Sequence, residues 1–243
     1  MTLSSPSINR RRLLAGAGMT VGAIWVAPAV LSVSAAAASS GLAEVVAGTA
    51  VHIQGNNNVN VPLPVGIYTQ YLLVVAEVTT ATGNAGFLPS LNPGSGFALL
   101  TSDSAVPAPN FAAYHSNTGT TDPVLTGNDT KGRWTAIVIG FTTGTSVTSS
   151  AIVSATASPI VVGGATAGVP SSWVFVGSAS DGVGPTNWGA ISAFTKVVDV
   201  DGNSNTPPDL FVARYNILNT SVPGTSAAFG SGNSAKAIVV GVG

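Results

Sequence analysis

Beyond Gly41 the chain alternates short apolar, β-branched runs with clusters of Gly, Pro, Asn, Ser and Thr, and no stretch carries the three-to-four-residue apolar period of a helix. Val, Ile and Thr pack well on a pleated surface, and the small polar clusters supply turns. The pattern predicts strands over residues 44–53, 70–78, 96–101, 110–116, 134–141, 147–155, 172–179, 187–198, 210–217 and 235–242. About ten strands at that spacing imply an all-β fold, a single sandwich.

The two halves of this strand region echo each other weakly. Gly96-Phe97-Ala98-Leu99-Leu100 parallels Ser172-Trp173-Val174-Phe175-Val176, and Asn110-Phe111-Ala112-Ala113 parallels Asn187-Trp188-Gly189-Ala190. Trp134-Thr135-Ala136-Ile137-Val138-Ile139-Gly140-Phe141 parallels Ala235-Lys236-Ala237-Ile238-Val239-Val240-Gly241-Val242. Such an echo implies two facing sheets of similar plan within one domain.

Residues 1–38 read differently. Asn9-Arg10-Arg11-Arg12-Leu13-Leu14 resembles the twin-arginine export consensus, and a Gly/Ala-rich, weakly hydrophobic stretch follows it. Ala36-Ala37-Ala38 offers small residues for signal-peptidase cleavage. Together with Ala23-Ile24-Trp25-Val26-Ala27-Pro28, this segment is similar to the signals of many secreted actinobacterial proteins. An uncleaved anchor is the competing reading, because no charge falls between Leu13 and Ala38 and the run is long enough to span a bilayer. Gly16, Gly18, Gly22, Pro28 and the Ala-rich end favour cleavage. The expected organisation is a signal peptide over 1–38, an N-terminal segment with the first strand over 39–59, and the sandwich over 60–243. The expected location is extracellular or at the cell surface, with no membrane attachment after cleavage.

Charge narrows the partners. Beyond residue 38 stand five cations (Lys131, Arg133, Lys196, Arg214, Lys236) and all nine acids, a net of −4. Scattered cations on an acidic domain do not neutralise a run of phosphates, which argues against nucleic acid and anionic membranes. Charged residues are 7% of the chain, against about a quarter in typical soluble proteins. Such a surface is hydrated yet weakly repulsive, as suits an assembly-prone or surface-attached protein. No cysteine occurs, which excludes disulfides, thiolate catalysis and cysteine-ligated metals.

Residues 64–76, reading Pro-Val-Gly-Ile-Tyr-Thr-Gln-Tyr-Leu-Leu-Val-Val-Ala, followed by an aromatic strand and Trp134-Thr135-Ala136-Ile137-Val138, resemble jelly-roll-like modules of secreted bacterial and phage-tail proteins. Phe97 stands where those modules usually carry Trp, and Thr69-Gln70 where Gly-Asp is usual. The resemblance implies a β-sandwich with a structural, adhesive or accessory role and no transferable catalytic residues. The implied partners are further copies of the chain or a surface glycan, and the alternative function is a carbohydrate-binding module.

Candidate chemistry is sparse. His52 and His115 are the available general bases, and neither lies in a nucleophile elbow. The glutamates Glu44 and Glu77, with loop aspartates, could serve glycoside hydrolysis only if the fold brought a pair together. The best metal candidate is the loop carrying Asp199, Asp201, Asn203, Asn205 and Asp209, whose alternating oxygen side chains could converge on Ca²⁺. No Glu occupies the twelfth position of an EF-hand loop, and a polar hairpin is the plain alternative. No other cofactor is implied. Trp134, Trp173, Trp188, Tyr114 and Tyr215 could stack on sugars, but their apolar neighbours predict core positions. Residues 54–60 form an amide-rich loop able to hold a glycan or turn the chain, and Asn128-Asp129-Thr130 and Asn219-Thr220-Ser221 match the glycosylation triplet.

Overall fold

Four sheets stack into three apolar layers. The computed structural model describes residues 43–55, 57–79, 89–105, 109–118, 121–127, 132–180, 188–200 and 208–243. The expected signal segment lies outside these.

The first half contributes β1 (Val45–Ala47), β2 (Val51–Gln54), β3 (Asn58–Asn60), β4 (Gln70–Thr79), β5 (Ser90–Leu91), β6 (Ala98–Asp103), β7 (Asn110–Ser116), β8 (Val124–Thr126) and β9 (Gly132–Phe141). The second contributes β10 (Val147–Ser149), β11 (Val153–Ala155), β12 (Ile160–Val162), β13 (Ala165–Ala179), β14 (Phe194–Val200), β15 (Asp209–Tyr215), β16 (Asn219–Val222), β17 (Thr225–Ala227) and β18 (Ala235–Val242). The all-β sandwich expectation holds, with more strands than the ten expected. Gly48 interrupts the first expected strand, and residues 150–152 interrupt the sixth.

Each half builds its large sheet in the same antiparallel order. The first is β1-β9-β4-β7-β6, with β2 also on β9, and the second is β10-β18-β13-β15-β14, with β11 also on β18. Registers match as well: Gln70 faces Phe141 as Ser172 faces Val242, an offset of 102 residues on one strand and 101 on the other. The edge strands β6 and β14 shift register at equivalent places, between Leu99 and Thr101 and between Lys196 and Val198. Even the bond from the Gly48 N–H to the Val138 carbonyl repeats, as Ser150 N–H to Val239.

The structure therefore bears out the two similar halves and their facing sheets, and corrects part of the alignment. Trp134–Phe141 does correspond to Ala235–Val242. Residues 96–100 correspond instead to the start of β14, and β7 corresponds to β15 rather than to 187–190. Short runs of Phe, Ala and Val match many strands by chance, and only backbone pairing fixes which strand is equivalent.

Outside each large sheet lies a small one, β3-β8-β5 in the first half and β12-β17 in the second. The central layer joins the two large sheets: Leu72, Val74, Ile137 and Ile139 pack with Val174, Val176, Ile238 and Val240. Tyr71, Leu73, Val75, Trp134 and Val138 fill the first outer layer, and Trp173, Phe175, Phe211 and Val239 fill the second. Side chains alternate across a strand, so β4, β9, β13 and β18 bury both faces. That is why they read as unbroken apolar runs rather than alternating ones.

Aromatic rings close against glycine at equivalent points. A Cβ on Gly140 would lie 2.6 Å from the Tyr68 ring, and one on Gly241 would lie 2.6 Å from the Trp173 ring. Only hydrogen fits at either position.

Candidate functional site

Polar side chains between the two large sheets are engaged in ties from one half to the other. Lys236 on β18 interrupts an otherwise apolar strand, and its side chain is fully buried. Its ammonium lies 3.2 Å from the Asp103 carboxylate at the end of β6, and donates to the carbonyls of Asp103 (3.0 Å) and Ala105 (2.6 Å). Burial lowers the Lys236 pKa, and Asp103 opposes that shift. At Asp103 partial burial alone would raise the pKa. The Ala105 N–H, the Lys236 ammonium and the Ser154 hydroxyl outweigh it, and hold the carboxyl below its usual range.

The equivalent of Lys236 in the first half is Thr135, which faces Ala76 as Lys236 faces Ser178. Its hydroxyl donates to the Pro208 carbonyl at 2.6 Å, and its oxygen lies 3.1 Å from His52 Nδ1. A hydroxyl has one proton, and here it goes to the carbonyl. His52 must therefore carry its proton on Nδ1, giving a chain from His52 through Thr135 to Pro208.

At the opposite end of the sheets Gln70 ties neighbouring strands of the first sheet and the loop that follows β9. Its amide nitrogen donates to the Gly144 carbonyl at 2.9 Å, so its oxygen is left to accept from His115 Nε2 at 2.5 Å. The equivalent residue Ser172 accepts from the Ala43 N–H at 2.9 Å. Burial lowers the pKa of both histidines. Both ends of the contact between halves are thus held by oriented hydrogen bonds around the apolar centre.

The residues weighed as candidate bases and acids are not gathered. His52 lies at the Thr135 end of the first sheet, whereas His115 faces Leu72 near the other. Glu44 precedes β1, whose first residue pairs with Phe141, while Glu77 pairs with Trp134. Seven residues along β9 separate those levels, about 23 Å at the usual strand rise. Two-carboxylate glycoside hydrolysis uses carboxyls about 5–9.5 Å apart. Glu77 is instead buried, with the Asn110 amide donating to it at 3.4 Å.

Of the metal candidates, Asp201, Asn203 and Asn205 lie outside the described residues. Asp199 sits opposite Phe211, which places it on the same sheet face as Asp209. Asp199 accepts from the exposed Lys196 ammonium at 3.4 Å, and Asp209 is fully buried. Among the described residues no group of three His, Asp or Glu is placed to hold an ion. Part of the amide-rich loop is strand, since Asn58–Asn60 pairs with β8. Asn219 opens β16, where its carbonyl accepts from the Trp173 indole at 2.9 Å; Asn128 lies outside the described residues.

Four of the five rings are core residues, as expected: Trp134 and Trp173 are inaccessible, and Trp188 and Tyr215 are buried, whereas Tyr114 is half-buried. Trp188, however, lies before β14 rather than in a strand, and it borders an open cleft of about 190 Å³. Gly189, Ala190, Ile191, Phe194, Lys196, Phe211 and Ala213 complete the lining. Trp188 stacks on Phe211 at 5.6 Å and closes against Gly177, whose Cβ would lie 2.6 Å from the indole. The indole N–H of Trp188 is buried without a hydrogen-bond partner among the described residues.

Sequence reasoning missed the ties. The signal available was a lone Lys in an apolar strand, and a lone Thr at the matching place in β9. No family of proteins, no curated protein and no solved structure matches this chain.

Proposed function

We propose that the chain is an exported, non-catalytic scaffold with a structural, adhesive or assembly role outside the cell. The observation that carries this reading is the use of the polar side chains around the contact: Lys236 with Asp103, Thr135 with Pro208 and Ser172 with Ala43 join half to half, while His52 on Thr135 and His115 on Gln70 tie neighbouring strands of the first sheet. Groups spent in this way are not free to act on a substrate. The strand order supports the reading, since β2-β9-β4-β7 against β3-β8-β5, and β11-β18-β13-β15 against β12-β17, is how a jelly roll distributes successive strands. We read the protein as two such rolls stacked through their large sheets. A fold joined by non-local pairing and lacking disulfides suits export after folding, the route implied by Arg10, Arg11 and Arg12.

A carbohydrate-binding module is the second reading. The Trp188 ring at the edge of the open cleft favours it, because aromatic rings stack on sugars.

Expression in a bacterium with an active twin-arginine pathway tests the first reading. The folded product is expected outside the cytoplasm with an N-terminus near Ser39, and replacing Arg10, Arg11 and Arg12 by Lys is expected to retain it inside. Export that survives this replacement, or a membrane-bound product with residues 1–38 intact, would count against it.

A further inference from the structure

We propose that the protein self-associates head to tail, the turn Val65-Gly66-Ile67 of one copy entering the Trp188 cleft of the next; this rests on the assembly reading above. The turn is an unusual surface feature. Val65 and Ile67 are 97% and 91% exposed, and they flank Gly66 in a conformation (φ +145) that a side chain rarely adopts. The turn is also held in place. The Tyr68 hydroxyl donates to the Val65 carbonyl at 3.0 Å, and the Tyr68 ring sits against Gly140 and Tyr71. A turn already held in shape loses little freedom on docking.

The cleft is suited to it in size and charge. An apolar cavity of about 150 Å³ accepts the six carbons of benzene. The cleft, at about 190 Å³, has room for the seven side-chain carbons of Val65 and Ile67. Glu44, exposed and within electrostatic reach of Tyr68, flanks the turn, while Lys196, largely exposed and in a surface pair with Asp199 that a second carboxylate can share, stands on the cleft. With 7% of residues charged, little repulsion opposes contact between copies.

Turn and cleft belong to different halves: the turn adjoins the Gln70 end of the first sheet, and the cleft lies on the outer face of the second. The contact is therefore heterologous, and it leaves a free turn at one end and a free cleft at the other. Repeated, it generates open chains or rings rather than a closed dimer. An interface this small binds weakly, so the chains form at high local concentration.

Sedimentation velocity of residues 39–243 over a wide concentration range tests the proposal. Wild type is expected to grow past the dimer as concentration rises. V65D/I67D removes the apolar turn, A190R obstructs the cleft, and each is expected to weaken association at least tenfold. Both changes lie on exposed positions, and unchanged melting curves verify folding. An equimolar mixture of the two variants retains one competent turn and one competent cleft, and is expected to stop at the dimer. Wild type that stays monomeric to millimolar concentration overturns both this proposal and self-assembly. Assembly that both variants retain overturns the turn-and-cleft contact alone. Soluble polysaccharide that changes the tryptophan fluorescence of wild type but not of A190R would make the cleft a glycan site and overturn the proposal.

Discussion

Replacing Asp103 by Asn keeps the shape of the side chain and removes the one charge that pairs with Lys236 among the described residues. The ammonium would still reach the carbonyls of Asp103 and Ala105, but it would be buried without a counter-ion. Breaking a fully buried pair from one side costs about 3–5 kcal/mol. The Asp103 side chain is 26% exposed, so water recovers part of that, and about 2–3 kcal/mol is expected. For a domain of this size that lowers Tm by roughly 4–12 °C. Lys236→Met should cost much less, because it removes the buried charge and leaves Asp103 with water, Ser154 and the Ala105 N–H. D103N/K236M should recover most of the loss. Thermal melts of the four proteins at neutral pH measure all of this. The reasoning fails if D103N costs under about 0.5 kcal/mol, as an exposed pair would, or if K236M is the more damaging change.

Thr135→Val removes the hydroxyl that links His52 to the Pro208 carbonyl at nearly constant volume, and is expected to cost about 1–2 kcal/mol by chemical denaturation. Acid should act in two stages. Burial depresses the folded pKa of His52 and His115, so the unfolded chain binds protons first, and stability should begin to fall as pH drops below 6.5. Asp103 is also depressed, so its contribution is present above its unfolded value of 3.8 and is lost as pH falls through the lower folded value. Melting curves from pH 8 to 3 should show both stages, the second missing in D103N. Millimolar calcium should leave Tm unchanged, because Asp199 already holds Lys196 and Asp209 is buried; a rise of several degrees abolished by Asp199→Asn would restore the loop as a cation site.

The strands that bury both faces were legible in the chain. β4, β9 and β18 lie within two residues of expectation, because runs such as Leu72–Ala76 and Ile137–Ile139 have no other use in so small a protein; β13 starts seven residues earlier than expected, at Ala165, because its first part is small and largely exposed. The outer sheets were not legible. β3, β5, β8, β12 and β17 are two or three residues long, and all but β12 carry Ser, Thr or Asn, so they resemble the turns that connect them. Their pairing depends on partners far away, as Asn58–Asn60 depends on Val124–Thr126. The candidate site was hidden for a related reason. Lys236 counts as one more scattered cation until β18 turns it inward toward the end of β6, more than 130 residues earlier. The rings gave a clearer signal, since Trp134 and Trp173 sit among Val and Ile in sequence as they do in space.

The central structural claim is that two like-built halves form one cooperative body through their facing large sheets, and native-state amide hydrogen exchange tests it most directly. The slowest amides of β4 and β9 and those of β13 and β18 should exchange with the same free energy, equal to that of global unfolding. D103N should lower both sets by the same amount. Protection that persists in β13 and β18 while β4 and β9 open at a distinctly lower free energy would contradict the claim, leaving two sandwiches that merely touch.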